Sequence, residues 1–117
     1  MSVIIRNITI ISPGSPVHEK TDIGIAQGVF VDPQTLPRGK EIDGQSSWLV
    51  PGLIDCRVNL REPGLEHKGT IASETQAAVA GGVTSVVATP ATDPIVDSPA
   101  DVRLVLERAG ASGHCRV

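Results

Sequence analysis

Arg57, Asn59 and Arg61 occupy every second position of Arg57-Val58-Asn59-Leu60-Arg61, at the end of an apolar run that begins at Leu53. Side chains at i and i+2 of a strand leave the same face, so Arg57 and Asn59 aim at one point. A guanidinium is a permanent cation with no lone pair to offer, and it repels a divalent ion. Asn59 adds a neutral amide oxygen, a poor zinc ligand. Metal chemistry at this strand end therefore fails at two positions. Arg61 supplies a further guanidinium, able to attract a carboxylate or to pair with acids beside it.

The other residues with chemical potential read more plainly. Asp55 is placed to satisfy backbone or arginine groups near the strand end. Cys56 should point away from Arg57 and Asn59, which makes it a packed thiol. His67 reads as a structural or surface histidine in Glu66-His67-Lys68, and His18 and His114 as ordinary surface or strand-end residues. Gly81-Gly82 is a helix stop, because no strand-Gly-x-Gly-x-x-Gly order surrounds it.

Two patterns of elements hold these residues. Residues 1–50 are β-like, with branched residues concentrated in Val3, Ile4, Ile5, Ile8 and Ile10. Turn material at Ser12-Pro13-Gly14-Ser15-Pro16 separates this strand from Asp22–Ala26 and then Val29–Val31. A loop from Asp32 through Pro37-Arg38-Gly39 leads to short strands at Glu41–Asp43 and Trp48–Val50. The expectation is a small antiparallel sheet, part of a β-sandwich.

From Pro51 onward, residues 51–117 alternate strand and helix. Leu53–Leu60 reads as a buried strand. Thr70 caps a helix through Ala80, with Ile71, Thr75, Ala78 and Val79 on one side and Gly81-Gly82 ending it. Val83–Ala88 is a second buried strand. Ser98, Pro99 and Asp101 open another helix whose apolar stripe is Val102, Val105, Leu106 and Ala109, with Gly110 as its stop. His114-Cys115-Arg116-Val117 begins a third strand. Such βαβαβ order is the start of a parallel α/β architecture. A (β/α)8 barrel takes eight units and about 250 residues, so 117 residues are expected to be the front of a longer protein.

Composition excludes several partners. One Phe, one Trp and no Tyr leave few stacking platforms for single-stranded nucleic acid. A net charge of −3 provides no basic stripe for a polyanion. Two cysteines do not make a disulfide framework, and no apolar run approaches the roughly 20 residues of a membrane span. A cytoplasmic location is expected.

The order of these features resembles the dihydroorotases, within the cyclic amidohydrolases. The resemblance rests on Pro51-Gly52-Leu53-Ile54-Asp55 and on Arg61-Glu62-Pro63-Gly64-Leu65-Glu66-His67-Lys68. Ala80–Val87 and the loop Thr89-Pro90-Ala91-Thr92-Asp93-Pro94 add to it. It implies the start of an amidohydrolase-type (β/α)8 TIM barrel, preceded by a small antiparallel β-sandwich segment. Active members hold zinc through a His-x-His strand, and a metal-bound water opens a cyclic amide in pyrimidine synthesis. Here Arg57 and Asn59 stand at the two histidine positions, and Ala91 stands at that of a substrate-binding asparagine. Arg61 matches the carboxylate-binding arginine and survives as a vestige.

The resemblance therefore implies a pseudoenzyme with no zinc cofactor and no catalytic residue among these positions. By the same resemblance its partner is an aspartate carbamoyltransferase chain, in an oligomer. Two rivals stay open: an active zinc-dependent amidohydrolase with a rearranged metal site, and an inactive sensor that binds a dicarboxylate through Arg61.

Overall fold

The structure, a computed structural model, describes residues 2–14, 19–36 and 39–117. The expected turn at Ser15-Pro16, the loop at Pro37-Arg38 and the surface reading of His18 lie outside the described residues. The chain divides into two units, Met1–Pro51 and Gly52–Val117.

The first unit is a sheet built on β1 (Ser2–Ile10). β2 (Lys20–Ala26) runs antiparallel to it, and β3 (Val29–Val31) runs antiparallel to β2. β4 (Lys40–Asp43) and β5 (Trp48–Leu49) both pair with β1 in parallel, at successive stretches of it. The sheet is thus mixed, which corrects the antiparallel expectation. After β3 at one edge, a 3-10 turn at Pro33–Thr35 carries the chain toward the far side of β1. A strand arriving there by crossover, not by hairpin, can run parallel to β1.

A bulge in β1 sets which side chains face where. Ile5 pairs with Ile23, but Ile8 pairs with Thr21, so one extra residue lies between them. Without it, Ile4 and Ile8 would share a face. With it, Ile8 joins the face of Ile5 and Ile23. Asn7 takes a left-handed φ of 59° at the bulge, and its N–H donates to Asp22 Oδ1 at 2.8 Å. Arg6 bridges Asp22 at 3.0 Å and Glu41 at 2.8 Å. The Asn7 N–H and then the Arg6 guanidinium hold the Asp22 carboxyl below its ordinary range, and Arg6 does the same for Glu41.

The second unit contains β6 (Leu53–Val58), α1 (Ile71–Ala80), β7 (Val83–Ala88) and α2 (Pro99–Ser112). β6 and β7 are parallel. On β7's other flank Arg116 bridges Ser85 in parallel, with Val86 N donating to Arg116 O at 2.8 Å. This is the expected opening of a third strand. Leu60, Ile71, Val86 and Val105 form the core, with Val58, Ala78, Ala88 and Ala109 against it.

Both helices begin as their sequences dictate. Thr70 and Ser98 close reciprocal capping boxes with Ser73 and Asp101, and Pro99 opens α2. Fully buried Thr75 donates its hydroxyl to Ile71 O at 2.6 Å and accepts from His114 N at 3.1 Å, tying α1 to the third strand.

Other expectations need correction. β6 ends at Val58, not Leu60, and its residues from Leu53 to Arg57 are exposed. Among the described residues β6 has one neighbouring strand, so its other flank lies open. Cys56 is exposed for the same reason and is not packed. Val79 is also exposed, because the inward stripe of α1 is Ile71, Thr75 and Ala78. Gly110 lies inside α2, which runs on to Ser112. A helical glycine costs only about 1 kcal/mol, and Gly113 provides the cap instead, its N–H donating to Ala109 O at 2.8 Å.

Candidate functional site

The C-terminal ends of β6 and β7 bring the candidate residues toward one another. Val58 and Leu60 pack into the core while Arg57 and Asn59 stand exposed, so strand alternation persists just beyond the last residue of β6. Asp55 Oδ1 accepts from Arg57 N at 2.9 Å, which gives that carboxylate the backbone role expected of it. Thr89 joins the two strand ends: its N–H donates to Val58 O at 2.9 Å, and its hydroxyl donates to Asn59 Oδ1. One lone pair of the Asn59 amide oxygen is therefore engaged by Thr89.

Arg61 is half-buried and left-handed, with φ 67°. That conformation is costly for a residue with a side chain and persists only where its surroundings fix it. Here the surroundings are explicit. Arg61 O accepts from Leu65 N at 2.9 Å. The next residue, Glu62, is only 17% exposed; it accepts from Ile71 N, the first N–H of α1, at 2.9 Å and from Arg108 Nη1 of α2 at 2.7 Å. Arg108 also lies 3.6 Å from Glu66, whose carboxylate accepts from Gly64 N at 2.9 Å. That Gly64 N–H leads the causes that hold Glu66 below the ordinary carboxylate range; the charge of Arg108 adds to it.

The loops after β6 and β7 are stapled together. Asp93 N donates to Pro63 O at 3.1 Å. Gly64, at φ 90°, lies so close that a Cβ there would sit 1.6 Å from Asp93 O. Ala91 is exposed in the second loop, two residues beyond Thr89, and offers nothing polar from its side chain. Exposed His67 and His114 join no ligand cluster. An apolar cavity of about 430 Å3 lies between β7 and α2, lined by Leu60, Val86, Val102, Val105 and Leu106, with Glu62 at its margin.

A zinc ion, which the sequence resemblance implies for active proteins, does not fit these residues. Arg57 brings positive charge to the strand end, and Asn59 offers only a neutral amide oxygen, a poor zinc ligand, one lone pair of which accepts from Thr89. Among the described residues, no three His, Cys, Asp or Glu side chains gather as a metal cluster. Among the same residues, neither Arg57 nor Arg61 has a side-chain hydrogen bond or ion pair. Sequence reasoning missed Thr89, Glu62 and Arg108. Each acts through a partner at least 30 positions away in the chain or through a helix end, which no local spacing reveals.

Comparison with known proteins agrees with this framework. The family described as Dihydro-orotase-like matches residues 46–114. A dihydroorotase from Syntrophobacter fumaroxidans is 42% identical over 97% of this chain and 28% of its own length. A dihydroorotase-like protein from Pseudomonas aeruginosa is 40% identical over 100% of this chain and 29% of its own. The chain thus spans less than a third of the length of these relatives. Among solved structures, L-hydantoinase from Arthrobacter aurescens superposes with a TM-score of 0.79 at 22% identity, over 92% of this chain and 25% of that one. This likeness shows the fold, the α/β architecture of the amidohydrolase-type TIM-barrel enzymes. With a family match across more than half its residues, the chain belongs to the dihydroorotase-like family.

Proposed function

We propose that the full-length protein is a non-catalytic dihydroorotase-like protein of pyrimidine biosynthesis. In this reading it acts in the cytoplasm as a structural or regulatory partner of an aspartate carbamoyltransferase chain. One observation carries the loss of catalysis: Arg57 stands exposed at the end of β6, where the family's strand would present an imidazole. The engaged oxygen of Asn59 and the apolar Ala91 support it independently. The 40% identity to a protein described as dihydroorotase-like is in keeping with this reading. The partnership rests on family resemblance alone.

The 42% identity to a protein named dihydroorotase favours a second reading, an active zinc-dependent cyclic amidohydrolase with a rearranged metal site. One set of measurements separates the two. The full-length protein, purified with its native partners, is assayed for zinc, for dihydroorotate turnover and for co-purifying transferase. The first reading expects no stoichiometric zinc, no turnover and a shared complex. Zinc-dependent turnover abolished by a chelator supports the second reading and defeats the first. Isolation only as a free monomer defeats the partnership.

A further inference from the structure

We infer that Arg108 on α2 is a salt-sensitive lock on the loop at residues 61–68. Through Glu62 and Glu66 it holds that loop closed onto both helices. The lock rests on contacts made within the second unit, and it stands apart from any question of metal at the strand end.

One guanidinium gathers both acids of the loop. Glu62 divides its two oxygens between the helices. Its Oε1 accepts from Arg108 Nη1 at 2.7 Å, and its Oε2 accepts from Ile71 N, the first N–H of α1, at 2.9 Å. Glu66 Oε1 lies 3.6 Å from the same Nη1 and accepts from Gly64 N at 2.9 Å. Arg108 thus ties the loop after β6, the start of α1 and the body of α2 at one point. A guanidinium keeps its charge at any physiological pH, so the tie is permanent while the geometry lasts.

The loop itself is lightly built. Residues 61–68 belong to no helix or strand, and Arg61 and Gly64 are left-handed. Leu65 N and Lys68 N donate within the loop, and Asp93 N reaches across to Pro63 O. Segments of this kind open locally without global unfolding. A largely buried carboxylate that loses its cation is left uncompensated. Turning toward water relieves Glu62 but releases the first N–H of α1, and the loop loosens with it. Arg108 is 39% exposed, so dissolved ions reach the pair and screen it. Because it acts through the two carboxylates, Arg108 is a positioning residue.

The test is hydrogen–deuterium exchange of the full-length protein, at low salt and in about 1 M sodium chloride. Peptides over residues 61–71 are compared with peptides over β7. In R108Q, exchange over 61–71 should accelerate at least about tenfold while β7 keeps its rate. R108K, which can still pair with Glu62, should restore part of the protection. Salt should accelerate the same residues in the parent protein and add little in R108Q. A purely steric role for the Arg108 side chain would show no such salt response. Unchanged exchange over 61–71 in R108Q overturns the lock. Equal acceleration over β7 overturns it too, as a general loss of stability, and so does R108K without rescue. A parent loop indifferent to salt overturns its ionic basis. None of these outcomes depends on zinc content, so failure here and failure of the non-catalytic reading are told apart.

Discussion

An imidazole and a guanidinium are both nitrogen-bearing and both fit at a strand end, but only the imidazole can lend an electron pair to a metal. That difference gives Arg57 its weight in the proposal, because a guanidinium would repel a metal ion as well as offer it no electron pair. Replacing Arg57 and Asn59 by His, with Ala91 by Asn, should raise the zinc content of the full-length protein wherever later ligands persist; metal analysis against the parent checks this. Unchanged zinc would place further losses elsewhere in the site. The types and i, i+2 spacing of these residues were legible in the sequence, and the structure adds that Arg57 and Asn59 both stand exposed at the strand end. The engagement of Asn59 was not legible, because Thr89 lies 30 positions away. A different residue-scale prediction concerns Gly64. Its positive φ and the carbonyl of Asp93 leave no room for a methyl group, so Gly64→Ala should destabilise the protein by more than about 2 kcal/mol, measured by chemical denaturation.

Elements place these residues through caps and buried hydrogen bonds more than through a large core. Ser98→Ala removes the α2 cap and should cost about 1 kcal/mol, read as a lower denaturation midpoint. Thr75→Val keeps the shape but strands the His114 N–H and should cost about 1–3 kcal/mol. Acid should weaken the same framework. The carboxyls of Asp22, Glu41, Glu66 and Asp101 are all held below their ordinary values. Each therefore contributes stability that is fully present above its unfolded pKa of about 4. That stability is lost as the pH falls through the lower folded value. A thermal midpoint that declines below about pH 4 is expected, and one flat to pH 2 would contradict these assignments. Helix starts were legible because Thr70, Ser98 and Pro99 act locally. The end of α2 was misread at Gly110, since a glycine permits a helix stop without imposing one and the backbone pairing continued to Gly113. The direction of β4 and β5 was likewise hidden: alternating apolar residues mark a strand but carry no information about which neighbour it meets or which way it runs.

At the scale of the whole molecule, the β-rich first unit and the βαβ order of the second were legible from hydrophobic patterning, and they match the family's fold across less than a third of the relatives' length. What the sequence did not disclose is how firmly the loop at Arg61 is built. Glu62 and Arg108 are 46 positions apart, and their meeting depends on α2 packing beside α1. This framework surrounds a strand end that carries Arg57 and Asn59, and the proposed loss of catalysis rests on that pair. The most direct test is the metal content of the full-length protein, purified from zinc-supplemented cells and assayed for dihydroorotate turnover before and after chelation. The account predicts well below one zinc per chain and no turnover in either state. One or more tightly held zinc ions per chain, with turnover lost on chelation and regained on zinc addition, would contradict it.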